Sequence, residues 1–518
     1  MQARSTRRAK PGCDPRPGPC RDNELALDDD SLIRGAIAAR KAGKGHAWIP
    51  RLEERLRDTP DNSRLWHTLG TLWRAELETE RAIAAFVQAA TLDPASAVTA
   101  HALARATLEA GLPAVDRYDA ALALAPGDGA LLVGRASALV AEGHATRAID
   151  ELRALLRTSP QWADGHRHLA EMLAAQGHAD EKLATLDHAI VRHRQDAQLR
   201  ATKLDILYRG QDFAELAAFA DDCEQVLGAS AGLSIYKAIA LSELGRIAAA
   251  DAAFAPLLPV GSPELASHVM RHHVRAGRPD RAAAIGEPLA EAPGANHVWP
   301  WLGTAWRLLG DQRAQWLHRP EFVRTFQLLG REEAAAMARF LRGLHRSRAE
   351  CLGQSVRKGT QTDGPLFARI EPELVALRRA ITSQVAQYMA DLPSDERHPL
   401  PARRPDRPRI AGAWSVRLTG GGHHANHVHP EGWISAALYF AAPESPPEDP
   451  RAGWLALGQP PAELNVAIDP LREVEPAPGK LVLFPSTTWH GTRPIGSGER
   501  LTIAFDIAPA PPAANRDG

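Results

Sequence analysis

Hydrophobic positions in the first two thirds of the chain recur with the period of paired helices. Prolines that follow alanine-rich apolar stretches stand at Pro60, Pro94, Pro126 and Pro160. They are separated by 34, 32 and 34 residues, which is the length of two short helices with their connecting turns. Proline cannot continue a helix, so each of these prolines marks the end of a unit. The pattern predicts an all-α helical repeat array over residues 31–320.

The unit at residues 63–96 shows the repeat most clearly. Its large and small residues alternate at the signature positions of the tetratricopeptide (TPR) repeat: Trp66, Leu69, Gly70, Trp73, Ala82, Phe86, Ala89 and Pro94. Small residues let the two helices approach, and large ones fill the space between units. The segment resembles the TPR family. That resemblance implies a solenoid that holds an extended peptide or protein partner.

The pattern changes after residue 320. Two stretches with helical spacing, 332–345 and 372–392, predict helices, and the polar segment 353–367 between them predicts a loop. After residue 400, short apolar stretches alternate with turn residues, as strands do: AWSVRL, WISAALYF, GWLAL, KLVLFP and LTIAFDIA. Strands at this spacing predict an all-β barrel or sandwich of the jelly-roll type.

These patterns divide the chain into five predicted parts. They are a disordered, basic and proline-rich tail at 1–22, the repeat array at 31–320, a helical segment at 321–400, the β domain at 401–510 and a disordered tail at 511–518. A cluster of tryptophans near the end of the array is predicted to pack against the next domain: Trp299, Trp301, Trp306 and Trp316. Trp433 and Trp489 are predicted to lie in the core of the β domain.

Composition excludes several classes of protein. The chain has 518 residues, with 61 basic and 62 acidic side chains and a net charge of −1, which argues against general binding to nucleic acid or to a membrane surface. It has no run of 18 apolar residues, so we expect no membrane-spanning helix. Four scattered cysteines exclude a disulfide scaffold, and the N-terminus lacks the apolar segment of a secretory signal. We therefore expect a cytoplasmic protein.

Histidines concentrate in one short segment of the β domain. His423, His424, His427 and His429 fall within seven residues of a chain that has 21 histidines. On a strand, His427 and His429 would project from the same face. His490 ends the predicted strand KLVLFPSTTWH. Imidazole binds iron, copper and zinc, so His427, His429 and His490 are the predicted ligands of a metal ion.

A polar pair on the last predicted strand indicates an anionic ligand. Arg500 and Thr502 are two residues apart in the largely apolar segment RLTIAFD, so on a strand their side chains share a face. A guanidinium group binds a carboxylate through two hydrogen bonds, and a neighbouring hydroxyl adds another. We therefore expect an anionic ligand close to the metal.

Together these motifs resemble the iron(II)/2-oxoglutarate-dependent oxygenases. The motifs HxHPxxWxS, FPSxxWHGTxP and RLTIAFD resemble the 2OG-Fe(II) oxygenase family, whose domain is often joined to TPR repeats in bacterial proteins. The resemblance extends over residues 350–510. The resemblance implies a double-stranded β-helix with Fe(II) at its open end, bound by the three histidines. It also implies that Arg500 and Thr502 bind the 5-carboxylate of 2-oxoglutarate. Tyr439 is either a further contact of the keto acid or a core residue.

The metal ligands depart from the superfamily pattern at one position. The second ligand is usually Asp or Glu, whereas the motif HVH supplies His429. An alternative register, His429 with Glu431, has the same spacing and restores the carboxylate. We favour His427 with His429, because the family that the sequence resembles has HxHP at this place.

The resemblance implies a hydroxylase that uses Fe(II), 2-oxoglutarate and O2, with no catalytic side chain beyond the metal centre. Its substrate is expected to be a peptide, a protein or another molecule that the TPR array recruits. The alternative is a non-catalytic scaffold whose barrel senses a metal or a keto acid, and the HVH departure supports it. A zinc-dependent hydrolase of the cupin type also fits three histidines, but it leaves Arg500 unexplained.

Overall fold

The structure is a computed structural model that describes residues 28–444 and 447–511. The predicted tail at 1–22 and residues 512–518 lie outside the described residues. The chain begins with an array of antiparallel helices: α1 (Asp29–Lys41), α2 (Ile49–Asp58), α3 (Ser63–Ala75), α4 (Thr79–Leu92), α5 (Ala97–Glu109), α6 (Val115–Leu124), α7 (Gly129–Ala141), α8 (Ala145–Thr158), α9 (Ala163–Ala175), α10 (Ala184–Arg192), α11 (Ala197–Arg209), α12 (Phe213–Leu227), α13 (Ala231–Glu243), α14 (Ile247–Phe254), α15 (Pro263–Arg275), α16 (Pro279–Gly286), α17 (Trp299–Leu309) and α18 (Arg313–Leu317).

Helices α3 and α4 show how the sequence builds one repeat. Asn62 caps α3, where its side-chain oxygen accepts hydrogen bonds from the backbone N–H groups of residues 64 and 65. Gly70 on α3 faces the ring of Phe86 on α4, and a Cβ atom at Gly70 would lie 2.8 Å from that ring. A larger residue at Gly70 would therefore push the two helices apart.

The second part of the chain forms an antiparallel β domain with two helices. Its elements are β1 (Arg324–Gln327), α19 (Arg331–Arg342), β2 (Val356–Gln361), α20 (Pro372–Ala390), β3 (Ile410–His424), β4 (Ile434–Ala441), β5 (Leu455–Leu457), β6 (Arg472–Val474), β7 (Lys480–Pro485), β8 (His490–Thr492) and β9 (Glu499–Ile507). Six strands form one sheet in the order β1-β7-β4-β9-β3-β2, and three form a second in the order β6-β5-β8. A helical array followed by an antiparallel β domain confirms the predicted fold class.

Two predictions about which residues form strands are wrong. The segment 353–367, predicted to be a loop, contains strand β2, which pairs with β3 at the edge of the larger sheet. An edge strand needs few apolar side chains, so a strand such as β2 can have the polar sequence that is typical of a loop. His427 and His429 do not lie on a regular strand. They lie in the connection between β3 and β4, where only His427 makes a β-bridge, with His490.

The two faces of the larger sheet have different partners. Along β9, Leu501, Ile503 and Phe505 belong to the hydrophobic core that α19 and α20 cover. Arg500 and Thr502 alternate with them and therefore face the smaller sheet. A separate core with residues from β4, β5, β6 and β7 fills the space between the two sheets. The alternation along β9 thus directs its polar side chains into the interior of the β domain.

Tryptophans join the repeat array to the β domain, as the sequence predicts. The rings of Trp301 and Trp489 lie 4.8 Å apart in an edge-to-face contact. The indole N–H of Trp489 donates a hydrogen bond to Thr304 Oγ1 at 3.0 Å, and Trp299, Trp301 and Trp306 belong to the same buried cluster. Trp489 therefore packs against the array, so its predicted place in the core of the β domain is wrong. Trp433 does lie in that core, and it donates a hydrogen bond to the carbonyl of Leu400 at 2.7 Å.

The turns within successive repeats contact the second half of the chain. The backbone carbonyl of Ala175 accepts a hydrogen bond from the N–H of Arg348 at 2.8 Å, and that of Ala110 accepts one from Ile370 at 3.3 Å. Glu76 pairs with Arg407 at 2.7 Å. The edge of the array that carries these turns is thus partly covered by residues 348–407 of the same chain. In the residues described, no helix combines the length and hydropathy that a membrane span requires.

Candidate metal centre

Backbone hydrogen bonds hold the histidine segment against the end of strand β8. His427 and His490 exchange two backbone hydrogen bonds of 2.9 Å, and the N–H of His429 donates to the carbonyl of Ser486 at 3.0 Å. The three imidazole rings lie next to one another, with centroids 4.2 Å apart for His427 and His490 and 5.0 Å apart for the other two pairs. One ring nitrogen from each histidine lies within 4.8 Å of the others.

Hydrogen bonds fix the tautomer of each of the three histidines. The Nδ1 atom of His427 lies 2.8 Å from the carbonyl of Ala425, and that of His490 lies 3.0 Å from the carbonyl of Thr488. A carbonyl only accepts, so both Nδ1 atoms carry the proton. The Nε2 atoms therefore keep their lone pairs, which is the form that binds a metal ion. Three imidazoles in this arrangement fit an iron ion.

The third histidine has a charged partner. His429 Nδ1 lies 2.7 Å and 2.8 Å from the two carboxylate oxygens of Asp506, so it also donates its proton and leaves Nε2 free. Ser435 Oγ donates to the same carboxylate at 2.6 Å. Asp506 was not among the residues that the sequence singled out. It is the last residue of the motif RLTIAFD, four residues after Thr502 and six after Arg500. The alternation along a strand therefore places all three on one face, and that pattern is the signal that marks Asp506.

Burial keeps two of the three histidines, His427 and His490, neutral. It lowers the pKa of His427 to about 3, and the nearby His429 adds to the effect. It also lowers the pKa of His490 well below the usual value, with further lowering from His427. Both shifts have the same cause, since a charged imidazole is poorly solvated in this interior. Neutral rings are available to a metal ion without the loss of a proton.

Glu431, the alternative ligand, points away from the histidines. Its side chain is 93% exposed, and its carboxylate lies 3.3 Å from His297 Nε2 on the array. The structure therefore places His427 beside His429 and His490, but it does not place Glu431 there. His424 is buried beside the cluster, with its ring stacked on His427 at 5.9 Å and its Nδ1 3.1 Å from Ser355 Oγ.

Arg500 is a buried cation with few partners. The residue is 2% exposed, and its Nε atom has no hydrogen-bond partner among the described residues. In the described ranges no carboxylate forms an ion pair with it. Its recorded contacts are with Tyr439, whose hydroxyl lies 3.4 Å from one guanidinium nitrogen and whose ring lies 4.9 Å from the guanidinium carbon. A buried charge without a counter-charge is unfavourable, so this arrangement favours an anionic ligand.

One cavity of about 380 Å³ brings the polar groups together. His427, His429, His490, Arg500 and Thr502 all line it. Tyr439 does not line it. Its side chain is fully buried behind Arg500, and burial raises the pKa of its hydroxyl. Of the residues that the sequence nominates, five thus share one cavity and the sixth contacts Arg500 from outside it.

The outer wall of the cavity comes from the repeat array. Gln211 and Phe213 at the start of α12, with Glu243 and Arg271, line the cavity opposite the β domain. Arg357 on β2 lines it too, and it donates a hydrogen bond to Gln211 at 3.1 Å. The sequence gives no signal for this contact, because Gln211 and Arg357 lie 146 positions apart along the chain.

Comparisons with known proteins find one matching family and several similar structures. Residues 412–506 match the family described as "Putative 2OG-Fe(II) oxygenase", which confirms the predicted resemblance of the β domain. Among solved structures, a tetratricopeptide repeat protein from Parabacteroides merdae is similar at 18% identity and a TM-score of 0.28, over 45% of this chain and 93% of that chain. A prolyl-4-hydroxylase from Pseudomonas putida is similar at 17% identity and 0.26, over 36% and 92%. HygX from Streptomyces hygroscopicus, solved with nickel and 2-oxoglutarate bound, is similar at 14% identity and 0.26, over 38% and 87%. No curated protein matches the chain.

Proposed function

We propose that the protein is an iron(II)/2-oxoglutarate-dependent oxygenase that hydroxylates its substrate. In this reaction O2 supplies one oxygen atom to the substrate and one to succinate, and 2-oxoglutarate loses CO2. His427, His429 and His490 would hold the metal ion through Nε2. Bound Fe(II) would supply the activation of O2, and the chain's own residues would bind the keto acid and exclude competing reactants.

A single observation carries the proposal: the buried, unpaired Arg500 lines the same cavity as the three histidines. A metal site alone needs no buried cation beside it, since two positive charges repel each other. A dicarboxylate that chelates the metal at one end and meets Arg500 at the other would compensate both charges. Thr502 lines the same cavity and offers a hydroxyl donor. The family match over residues 412–506 supports the same chemistry.

The repeat array would bind part of the substrate directly. Gln211 and Phe213 form a wall of the cavity, so a substrate that fills the cavity would contact the array. We therefore assign the array a role at the metal centre itself, in addition to recruitment of a peptide or protein. This arrangement suits a substrate segment whose end or side chain enters the cavity.

Anaerobic titration of the protein with Fe(II) and 2-oxoglutarate tests the proposal. A keto acid chelated to Fe(II) gives a weak visible charge-transfer band, which we expect in the wild-type protein. His490→Ala should abolish the band, because it removes a ligand. Arg500→Met should weaken 2-oxoglutarate binding and leave the metal affinity unchanged.

Arg493→Met is the matched control. Arg493 pairs with Glu473 at 2.5 Å and does not line the cavity, so the band should match that of the wild type. If the wild-type protein binds Fe(II) but gives no band with 2-oxoglutarate, the protein is not an oxygenase of this type. The non-catalytic scaffold would then be the better account.

A further inference from the structure

We infer that Asp506 supplies, through His429, the negative charge that a carboxylate ligand supplies in the usual iron site. The inference rests on the proposed function, but it concerns a residue that does not contact the metal. It gives a physical account of how a site with three histidines can serve in place of two histidines and a carboxylate. Asp506 is therefore a positioning residue that acts on the metal through an imidazole.

The second nitrogen of His429 differs from those of the other two ligands. His427 and His490 donate from Nδ1 to neutral backbone carbonyls, at 2.8 Å and 3.0 Å. His429 donates to a carboxylate, whose two oxygens lie 2.7 Å and 2.8 Å away. A hydrogen bond to a charged acceptor is about twice as strong as one to a neutral acceptor. Among the three ligands, His429 thus gains the most donor strength from its partner.

In the described part of the chain, no lysine or arginine pairs with Asp506. Its side chain is 13% exposed, and among the described residues its only ion-pair partner is His429. Ser435, which lies opposite Asp506 on β4, donates to Oδ1 at 2.6 Å. A hydrogen bond from a hydroxyl orients the carboxylate but does not neutralise it. A metal ion on the far side of the imidazole would supply the positive charge that compensates this partly buried carboxylate.

The charge of the site follows from these contacts. A divalent ion with two histidines and a carboxylate carries one positive charge less than the same ion with three histidines. Asp506 returns that single negative charge at the distance of one imidazole ring. The hydrogen bond lets the carboxylate draw the Nδ1 proton toward itself, which makes Nε2 a stronger donor.

Asp506→Asn tests the inference, because asparagine keeps the shape and removes the charge. We expect the affinity for Co(II), an unreactive stand-in for Fe(II), to fall about 10- to 100-fold. We also expect the charge-transfer band of the Fe(II)–2-oxoglutarate complex to move to shorter wavelength. The reason is that a less electron-rich iron holds its d electrons more tightly. The reduction potential of the bound iron should rise for the same reason.

Two further variants separate charge from structure. Ser435→Ala removes the neighbouring hydrogen bond and keeps the charge, so the band should stay at the wild-type wavelength. Asp506→Glu keeps the charge, and it should hold the band nearer to the wild-type position than Asp506→Asn does. If Asp506→Asn is not obtained folded, Asp506→Glu decides alone: a shift to shorter wavelength in that charged variant overturns the inference.

The outcome that contradicts the inference is a folded Asp506→Asn protein with the Co(II) affinity and the band position of the wild type. Failure of the proposed function gives a different result. In that case the wild-type protein binds Co(II) and shows no band with 2-oxoglutarate, while the ratio of Co(II) affinities between wild type and Asp506→Asn still reports on Asp506.

Discussion

Replacement of Arg500 by methionine tests whether this arginine binds a ligand or stabilises the fold. Methionine preserves much of the aliphatic chain and removes the guanidinium group. In the ligand-free protein, Arg500 is 2% exposed and its Nε atom has no partner. A buried ion costs several kcal/mol of folding free energy. Its contact with the Tyr439 ring, at 4.9 Å, returns about 0.5–2 kcal/mol.

From these contributions we expect ligand-free Arg500→Met to be at least as stable as the wild type. The effect on 2-oxoglutarate binding has the opposite sign. A guanidinium that binds a carboxylate through two charge-assisted hydrogen bonds contributes about 1.5–3 kcal/mol for each bond. The loss of both corresponds to an affinity roughly 10² to 10⁴ times weaker. The variant should therefore gain or keep stability and lose its ligand.

Two assays measure these effects. Denaturant unfolding of the ligand-free proteins gives the free energy of unfolding, and calorimetry with Co(II)-loaded protein gives the affinity for 2-oxoglutarate. Addition of 2-oxoglutarate to the Co(II)-loaded wild type should also stabilise it further, by about 2.7 kcal/mol at one hundred times the dissociation constant. Arg500→Met should gain only the stabilisation that Co(II) itself gives. A variant that unfolds more easily than the wild type yet binds 2-oxoglutarate normally would refute the reasoning, because Arg500 would then be a structural residue.

Three further predictions concern the joint between the array and the β domain. Trp489→Ala should lower the free energy of unfolding by about 3–5 kcal/mol, as large-to-small core changes do, because the Trp489 ring packs on Trp301 with centroids 4.8 Å apart. Denaturant unfolding measures this change, and a loss below about 1 kcal/mol contradicts the prediction. Burial raises the pKa of Glu243, but hydrogen bonds from Arg271 and Arg275 outweigh it and leave that pKa at about 2. Its contribution to stability is therefore complete above its ordinary pKa of 4.5 and is lost as the pH falls toward about 2; unfolding at pH 5 and pH 3 should show a smaller drop for Glu243→Gln than for the wild type, and equal drops would contradict the assignment. Phe213→Ala should leave the affinities for Co(II) and 2-oxoglutarate unchanged, because Phe213 lines only the outer wall of the cavity; a weaker affinity for either one in calorimetry would place Phe213 in the cofactor site instead.

The sequence predicts the parts of this fold that repeat or alternate. The 34-residue spacing of Pro60 and Pro94 reports the helix pairs, because each unit must bury the same faces against its neighbours. The alternation along β9 places Arg500 and Thr502 on one face, and the structure shows both in the cavity. The polar edge strand β2 shows no alternation of apolar and polar residues that would predict it, because it contributes backbone hydrogen bonds and few buried side chains.

The rest of the site depends on contacts between distant parts of the chain. The two-residue spacing of His427 and His429 predicts that both face one metal ion, and their rings do lie close together. The predicted strand is absent, because both residues lie in the irregular connection between β3 and β4, where His427 forms an isolated bridge with His490. Phe213 reaches the cavity only because the array lies against the β domain. No local pattern in residues 211–213 indicates that placement, and the same holds for the pairing of Glu431 with His297.

The central claim is that Fe(II) and 2-oxoglutarate occupy one cavity, on three histidines and Arg500. An anaerobic crystal structure of the full chain with both compounds, with anomalous data collected at the iron edge, tests it most directly. The account predicts one iron peak about 2 Å from the Nε2 atoms of His427, His429 and His490, and a carboxylate of the keto acid against Arg500. An iron ion bound to the carboxylate of Glu431, or a keto acid that leaves Arg500 without a partner, would contradict it.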